Sequence, residues 1–133
     1  MGNLPRAGLA IIAVLVMTAA AWAQGIEDRA WVAERIGGQP ISGDTRSSIT
    51  VADGKVTGSG GCNRLMGSVA LSGDRIAFTG LATTRMACPA PVMAQEKAFL
   101  DALTAARTFR LEAGLLSLHD AAGTELARMQ AQS

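Results

Sequence analysis

Glycine-centred turn signals recur along this chain at short intervals. Asp53-Gly54, Ser72-Gly73-Asp74, Ala113-Gly114 and Ala121-Ala122-Gly123 each fall between runs in which apolar residues alternate with polar ones. Alternation at a period of two puts one set of side chains on each face of a strand, and a glycine-containing turn between two such runs is a hairpin signal. Ile49 and Val51 precede the first turn and Val56 follows it. Val69, Leu71, Ile76 and Phe78 flank the second. Phe109, Leu111, Leu116 and Leu118 supply one face of a third hairpin, with Thr108, Arg110 and Glu112 on the other. A strand through Trp31–Ile36, ending at Gly37-Gly38, opens this series, and one from Leu126 to Met129 closes it.

One segment departs from that period. Between Pro91 and Ala106, the apolar residues Val92, Met93, Phe99, Leu100 and Leu103 recur at three, four and seven, which predicts one helix with a single buried stripe. Pro91 suits a first helical turn, where its missing N–H needs no partner, and Arg107 suits the negative end. A lone amphipathic helix among strands must cover one face or one end of their sheet. The expected fold is α+β, a curled antiparallel sheet approaching a small barrel, packed with one amphipathic helix across an opening.

The first 23 residues read differently. Met1 to Arg6 is short and positive, Leu9 to Ala21 is apolar apart from Thr18, and Ala21-Trp22-Ala23 offers small residues around a cleavage point. These are the three parts of a secretory signal peptide, residues 1–23, leaving one domain over residues 24–133. The stretch from Ala7 to Ala23 falls short of the ~20 apolar residues a membrane span needs, so no span is expected after cleavage. With Arg6 removed, 11 basic residues face 11 acidic ones. That balance excludes a polycationic binder of nucleic acid and gives no electrostatic case for an anionic membrane surface.

Export changes how Cys62 and Cys88 are read. In an oxidising compartment an even pair permits one bridge, and a disulfide is expected, with two buried free thiols as the alternative. Closing a loop of 25 intervening residues corresponds to about 3.5 kcal/mol on the chain-entropy estimate. A zinc site is poorly served, since His119 is the single histidine.

None of the catalytic patterns in the chain is complete. Gly58-Ser59-Gly60-Gly61 lacks the lysine and hydroxyl of a phosphate loop, and Asn63 stands where a dinucleotide fold needs its third glycine. The glycines are instead expected to permit a bulge or a close strand crossing beside Cys62. Cys62, His119 and Asp120 contain the residue types of a nucleophile, base and orienter. However, His119 shares a face with Ser117, opposite Leu116 and Leu118, and is expected to be a solvated sheet residue. The cysteines are too widely spaced for a redox pair. Glu96 and Asp101, five apart on the predicted helix, do not form an acid–base pair. Arg85 lies in an otherwise uncharged stretch from Ile76 to Glu96, and reads either as a partly buried guanidinium or as a surface arginine over apolar neighbours.

Taken together, Gly58-Ser59-Gly60-Gly61-Cys62-Asn63-Arg64-Leu65-Met66-Gly67 and Leu81-Ala82-Thr83-Thr84-Arg85-Met86-Ala87-Cys88 resemble the paired motifs of the META domain, the heat-shock HslJ-like family, over residues 29–129. The resemblance implies a small bacterial envelope protein, periplasmic or secreted, with no cofactor and no established catalytic activity. It marks Gly61, Cys62, Asn63, Gly67, Thr84, Arg85, Met86 and Cys88 as a structural knot. The chain departs from the family pattern where an aromatic is common, at Leu65 and near Val69, has no tyrosine, and lacks the lipid-anchor cysteine of many relatives. The expected function is a non-catalytic, monomeric envelope domain, stress-related, that binds a hydrophobic or peptide ligand or a partner envelope protein. The alternative is a cysteine-dependent enzyme using Cys62.

Overall fold

In the computed structural model, which describes residues 2–3, 8, 11–13 and 25–132, the alternating segments form nine strands and the 3.6-period segment one helix. In chain order these are β1 (Ala30–Ile36), β2 (Gln39–Pro40), β3 (Ser48–Ala52), β4 (Lys55–Ser59), β5 (Arg64–Ser72), β6 (Arg75–Thr83), α1 (Ala90–Ala105), β7 (Thr108–Glu112), β8 (Leu115–His119) and β9 (Glu125–Ala131). The expected signal peptide and its cleavage point lie almost wholly outside the described residues. No described helix is long and apolar enough to cross a membrane.

The strands run β2-β1-β3-β4-β5-β6-β7-β8-β9, and β1 also pairs with β9, so the sheet returns on itself. β1 makes this possible by dividing one edge between two neighbours. Ala30–Val32 pair with β3 and Arg35–Ile36 with β2, while the opposite edge pairs with β9 through a register shift between Ala33 and Arg35. Every strand pairing is antiparallel, as the hairpin signals require. Asp53 and Gly54 both take positive φ, 51° and 72°, which matches the twist of the flanking strands in a two-residue hairpin.

The ring is weakest between β6 and β7. Arg75 and Thr108 are the only paired residues there, supported by Ile76 N–H donating to the Arg107 carbonyl at 3.0 Å and Phe109 N–H to that of Asp74 at 2.9 Å. The closure is therefore ring-like and not a true barrel. Helix α1 joins these two strands in sequence and packs against β6, β9, β1 and β8.

Side chains fill the interior. Trp31, Ile49, Val51, Val56, Leu65, Leu116, Leu118 and Met129 point inward from the strands, and α1 adds Phe99, Ala102 and Leu103. Trp31 satisfies its one polar atom by donating Nε1–H to the Ile26 carbonyl at 3.0 Å. The helix begins at Ala90 with Pro91 in its first turn. At its far end Arg107 donates Nη1 hydrogens to the Thr104 and Ala106 carbonyls, answering acceptors that a helix leaves open.

His119 corrects the sequence expectation. Its pairing with Thr108 puts it on the outer face, as its parity implies, yet it is buried, with Nδ1 unpartnered. It stands where β8 ends, beside a register shift against β9, and its carbonyl accepts the Arg107 N–H at 2.8 Å. Strand seam, helix end and bulge converge on it, which alternation alone does not register.

Gly58 lies on β4 opposite Ile49 of β3, where a Cβ would overlap the Ser48 carbonyl oxygen and come within 2.9 Å of Ile49 Cα. Both obstacles are backbone and cannot rotate away. Gly58→Ala should therefore lose at least the ~1–3 kcal/mol typical of overpacking, and Phe99→Ala about 3–5 kcal/mol. Urea unfolding followed by tryptophan fluorescence measures both, and an unchanged midpoint for either would contradict this packing.

Candidate functional site

The motif residues meet below the N-terminal half of α1, and the side chain that joins them is Glu96. It falls on the helix face of Val92, Phe99 and Leu103, so the stripe that buries the apolar residues carries it inward too, where it is 4% exposed. Its Oε1 accepts the backbone N–H groups of Asn63 at 2.6 Å and Cys62 at 3.2 Å. Its Oε2 accepts Asn63 Nδ2–H at 2.7 Å. Burial acts most strongly on this carboxyl and would raise its pKa. The bonds from the Asn63 side chain, the Asn63 backbone and the Cys62 backbone act the other way, and together hold it below the ordinary glutamate value.

Asn63 uses its whole hydrogen-bonding capacity. Beyond the Glu96 contacts, Nδ2 donates to the Met86 carbonyl at 3.3 Å, while Oδ1 accepts from Thr84 Oγ1 at 3.0 Å and Met86 N–H at 2.6 Å. Its carbonyl accepts the Gly60 N–H at 2.9 Å. One amide therefore joins both motif segments to the helix. Thr84 Oγ1 also accepts the Arg64 N–H at 3.1 Å, and a disulfide joins Cys62 to Cys88, with Cα atoms 6.3 Å apart.

The neighbouring helix residue makes a second tie. Gln95 Nε2 donates to Ser47 Oγ at 3.1 Å and the Thr45 carbonyl at 3.2 Å, and its Oε1 accepts the Ser42 N–H at 3.0 Å. Buried Ser47 in turn donates to the Gly60 carbonyl at 2.7 Å. Gly60 is required because a Cβ there would come within 2.5 Å of Glu96 Cγ.

Gly61 closes the turn before the disulfide at φ 140°. Gly67 lies on β5 opposite Val56, at a register shift against β6. Arg85 and Met86 are exposed; the Met86 backbone belongs to the knot and its side chain does not. Arg85 makes no hydrogen bond or ion pair among the described residues, which fits a surface arginine. Cys62, His119 and Asp120 are not joined by any hydrogen bond, and no three metal-binding side chains cluster among the described residues. The sequence pattern did not single out Gln95 or Ser47, and it marked Glu96 only as a helix carboxylate too far from Asp101 to pair with it. For Glu96 the signal was available, as a carboxylate four residues after Val92 and three before Phe99 on an otherwise apolar stripe.

Replacing Glu96 by glutamine sets an amide N–H₂ against N–H donors, leaving at least one buried donor unmet, so Glu96→Gln should cost about 2 kcal/mol at pH 7. Because the folded carboxyl titrates below its unfolded value, its contribution is fully present above about pH 4.3 and is lost as pH falls through the folded value. Urea midpoints from pH 7 to pH 2.5 should decline in the wild type by more than in Glu96→Gln; parallel curves would contradict the assignment. Reduction should cost up to about 3.5 kcal/mol while leaving the amide spectrum of the knot near its oxidised form, because Asn63 still holds the segments together. Collapse of those resonances on reduction would show that the disulfide alone positions them.

No curated protein matches the chain. Among solved structures, an NMR structure of a protein from Burkholderia xenovorans is similar at 25% identity and a TM-score of 0.67, covering 100% of this chain and 99% of that one. A second NMR structure shows the same fold at 24% identity and a TM-score of 0.65, covering 86% and 95%. A crystal structure of a DUF4847 family protein from Bacteroides vulgatus ATCC 8482 does so at 16% identity and 0.58, covering 79% and 93%. The META domain family model matches residues 24–133, the span that contains the whole ring, the helix and the Asn63–Glu96 knot, and the chain belongs to the META domain family.

Proposed function

We propose that this META domain is an exported, non-catalytic envelope module that works as a monomer, by contact and not by turnover. The observation that carries this reading is that the polar groups of the motif serve one another. Both Glu96 oxygens, all four hydrogen-bonding positions of the Asn63 amide, and the Ser47 and Gln95 side chains are engaged within the protein. A catalytic centre must offer at least one such group to a substrate. The rival reading, a cysteine-dependent enzyme using Cys62, requires a free thiolate, and Cys62 is bonded to Cys88.

Export is supported by the three-part leader at Met1–Ala23 and by a disulfide, which persists in oxidising compartments. A stress-related role in the periplasm or outside the cell is the family-based part of this reading. Contact with a hydrophobic or peptide ligand, or with a partner envelope protein, is supported by a shallow groove of about 280 Å³ between β2 and α1. Ile36, Pro40, Ile41, Pro91, Ala94 and Ala98 make it largely apolar, the character of surfaces that take apolar groups.

Iodoacetamide labelling of protein recovered from the periplasm or medium, read by intact mass with and without reductant, tests the reading. The expected result is a chain beginning near Gln24, with neither cysteine labelled until reductant is added. Labelling of Cys62 in the unreduced protein would support the enzyme, and a full-length chain confined to the cytoplasm would remove export.

A further inference from the structure

A second concavity lies on the outer face of the ring, over the β6–β7 seam and apart from the groove beside α1. It encloses about 500 Å³, within the ~300–1,000 Å³ range of small-molecule sites. Ala70, Ile76, Ala77 and Ala121 give it an apolar lining, and Arg75 and Arg107 add two cations. We infer that this concavity binds an amphiphilic anion, an unbranched alkyl chain ending in a carboxylate.

Arg107 is held in place before any ligand arrives. Its N–H donates to the His119 carbonyl at 2.8 Å and its carbonyl accepts the Ile76 N–H at 3.0 Å, so its backbone is stitched to both sides of the seam. Two Nη1 hydrogens go to the Thr104 and Ala106 carbonyls. That leaves three of the five guanidinium N–H donors uncommitted on a group whose position is already fixed. Arg75 makes no ion pair or hydrogen bond through its side chain among the described residues.

No carboxylate forms an ion pair with either arginine among the described residues. Asp74 and Asp120 are absent from the lining, and Asp120 Oδ1 accepts the Ala122 and Thr124 N–H groups within its own turn. Thr108 lines the concavity and pairs across the strands with both Arg75 and His119, so these three residues form one row on the outer face. Small apolar side chains suit a slender alkyl tail, and an arginine fork suits a carboxylate head. The inference does not depend on export or on the groove beside α1.

The test is a ¹⁵N NMR titration of the purified protein with decanoate below its micelle concentration, beside decanol and acetate as the tail and head alone. Shifts should cluster at Ala70, Ala77, Thr108 and Ala121. Decanol and acetate should each bind at least roughly tenfold more weakly, and Arg75→Gln, a change at an exposed residue, should weaken decanoate roughly tenfold with the rest of the spectrum unchanged. Arg107→Gln should weaken it as well, with its spectrum reporting whether the helix end is intact. Shifts centred on the β2–α1 groove, equal binding of decanol or acetate, or undiminished binding by Arg75→Gln would each overturn the inference.

Discussion

The structure depends on a buried carboxylate, Glu96, with no cationic partner among the described residues. Taking Glu96 out of water is costly, and an ion in such a place persists only if its oxygens are met by well-placed donors. Two backbone N–H groups and one side-chain amide meet them here. This requirement fixes which way α1 is rotated, because the stripe that buries Phe99 and Leu103 must also deliver Glu96 to the Cys62–Asn63 turn. It also explains Gly60, where any side chain would occupy the space the carboxylate needs.

Asn63 extends that constraint across the fold. Its amide reaches the helix on one side and the Thr84–Met86 segment on the other, so the β4–β5 connection, the end of β6 and the start of the helical segment are held by one residue. The Cys62–Cys88 bond runs parallel to this tie. Gln95 and Ser47 repeat the arrangement next door, fastening the loop before β3 to the same helix. A polar cluster satisfied to this degree specifies geometry, since half-met buried groups are costly and alternative packings would leave them so. It offers little to a reacting molecule, which is why the functional reading turns to surfaces.

Much of this was legible in the amino-acid order. Hairpins announced themselves at Asp53-Gly54, Ser72-Gly73-Asp74 and Ala113-Gly114, because alternation and turn chemistry are local properties. The helix followed from the spacing of Val92, Phe99 and Leu103. Closure was only partly visible: nothing near Trp31 states that it will lie beside Ala131, since pairing between distant strands leaves no local mark. The thin seam at Arg75 and Thr108 was invisible for the same reason. Glu96 stands too far from Asp101 to pair with it, and its place between Val92 and Phe99 on the stripe marks it for burial. His119 had the right face and the wrong environment, because the neighbouring register shift and the convergence of helix end and seam enclose it. Arg85 stood out by its uncharged surroundings and lies exposed, whereas Asn63 was marked by the family motif and not by any property that composition or period expresses.

A double-mutant cycle between Asn63 and Glu96 tests the central claim most directly. Asn63→Ala, Glu96→Ala and the double variant would be unfolded in urea at pH 7 with the disulfide intact. The account predicts a coupling of at least ~1.5 kcal/mol, because either change alone removes most of what the other residue contributes. Losses that add to within ~0.5 kcal/mol would contradict it, showing that the two residues act independently and that something else fastens the helix to the motif.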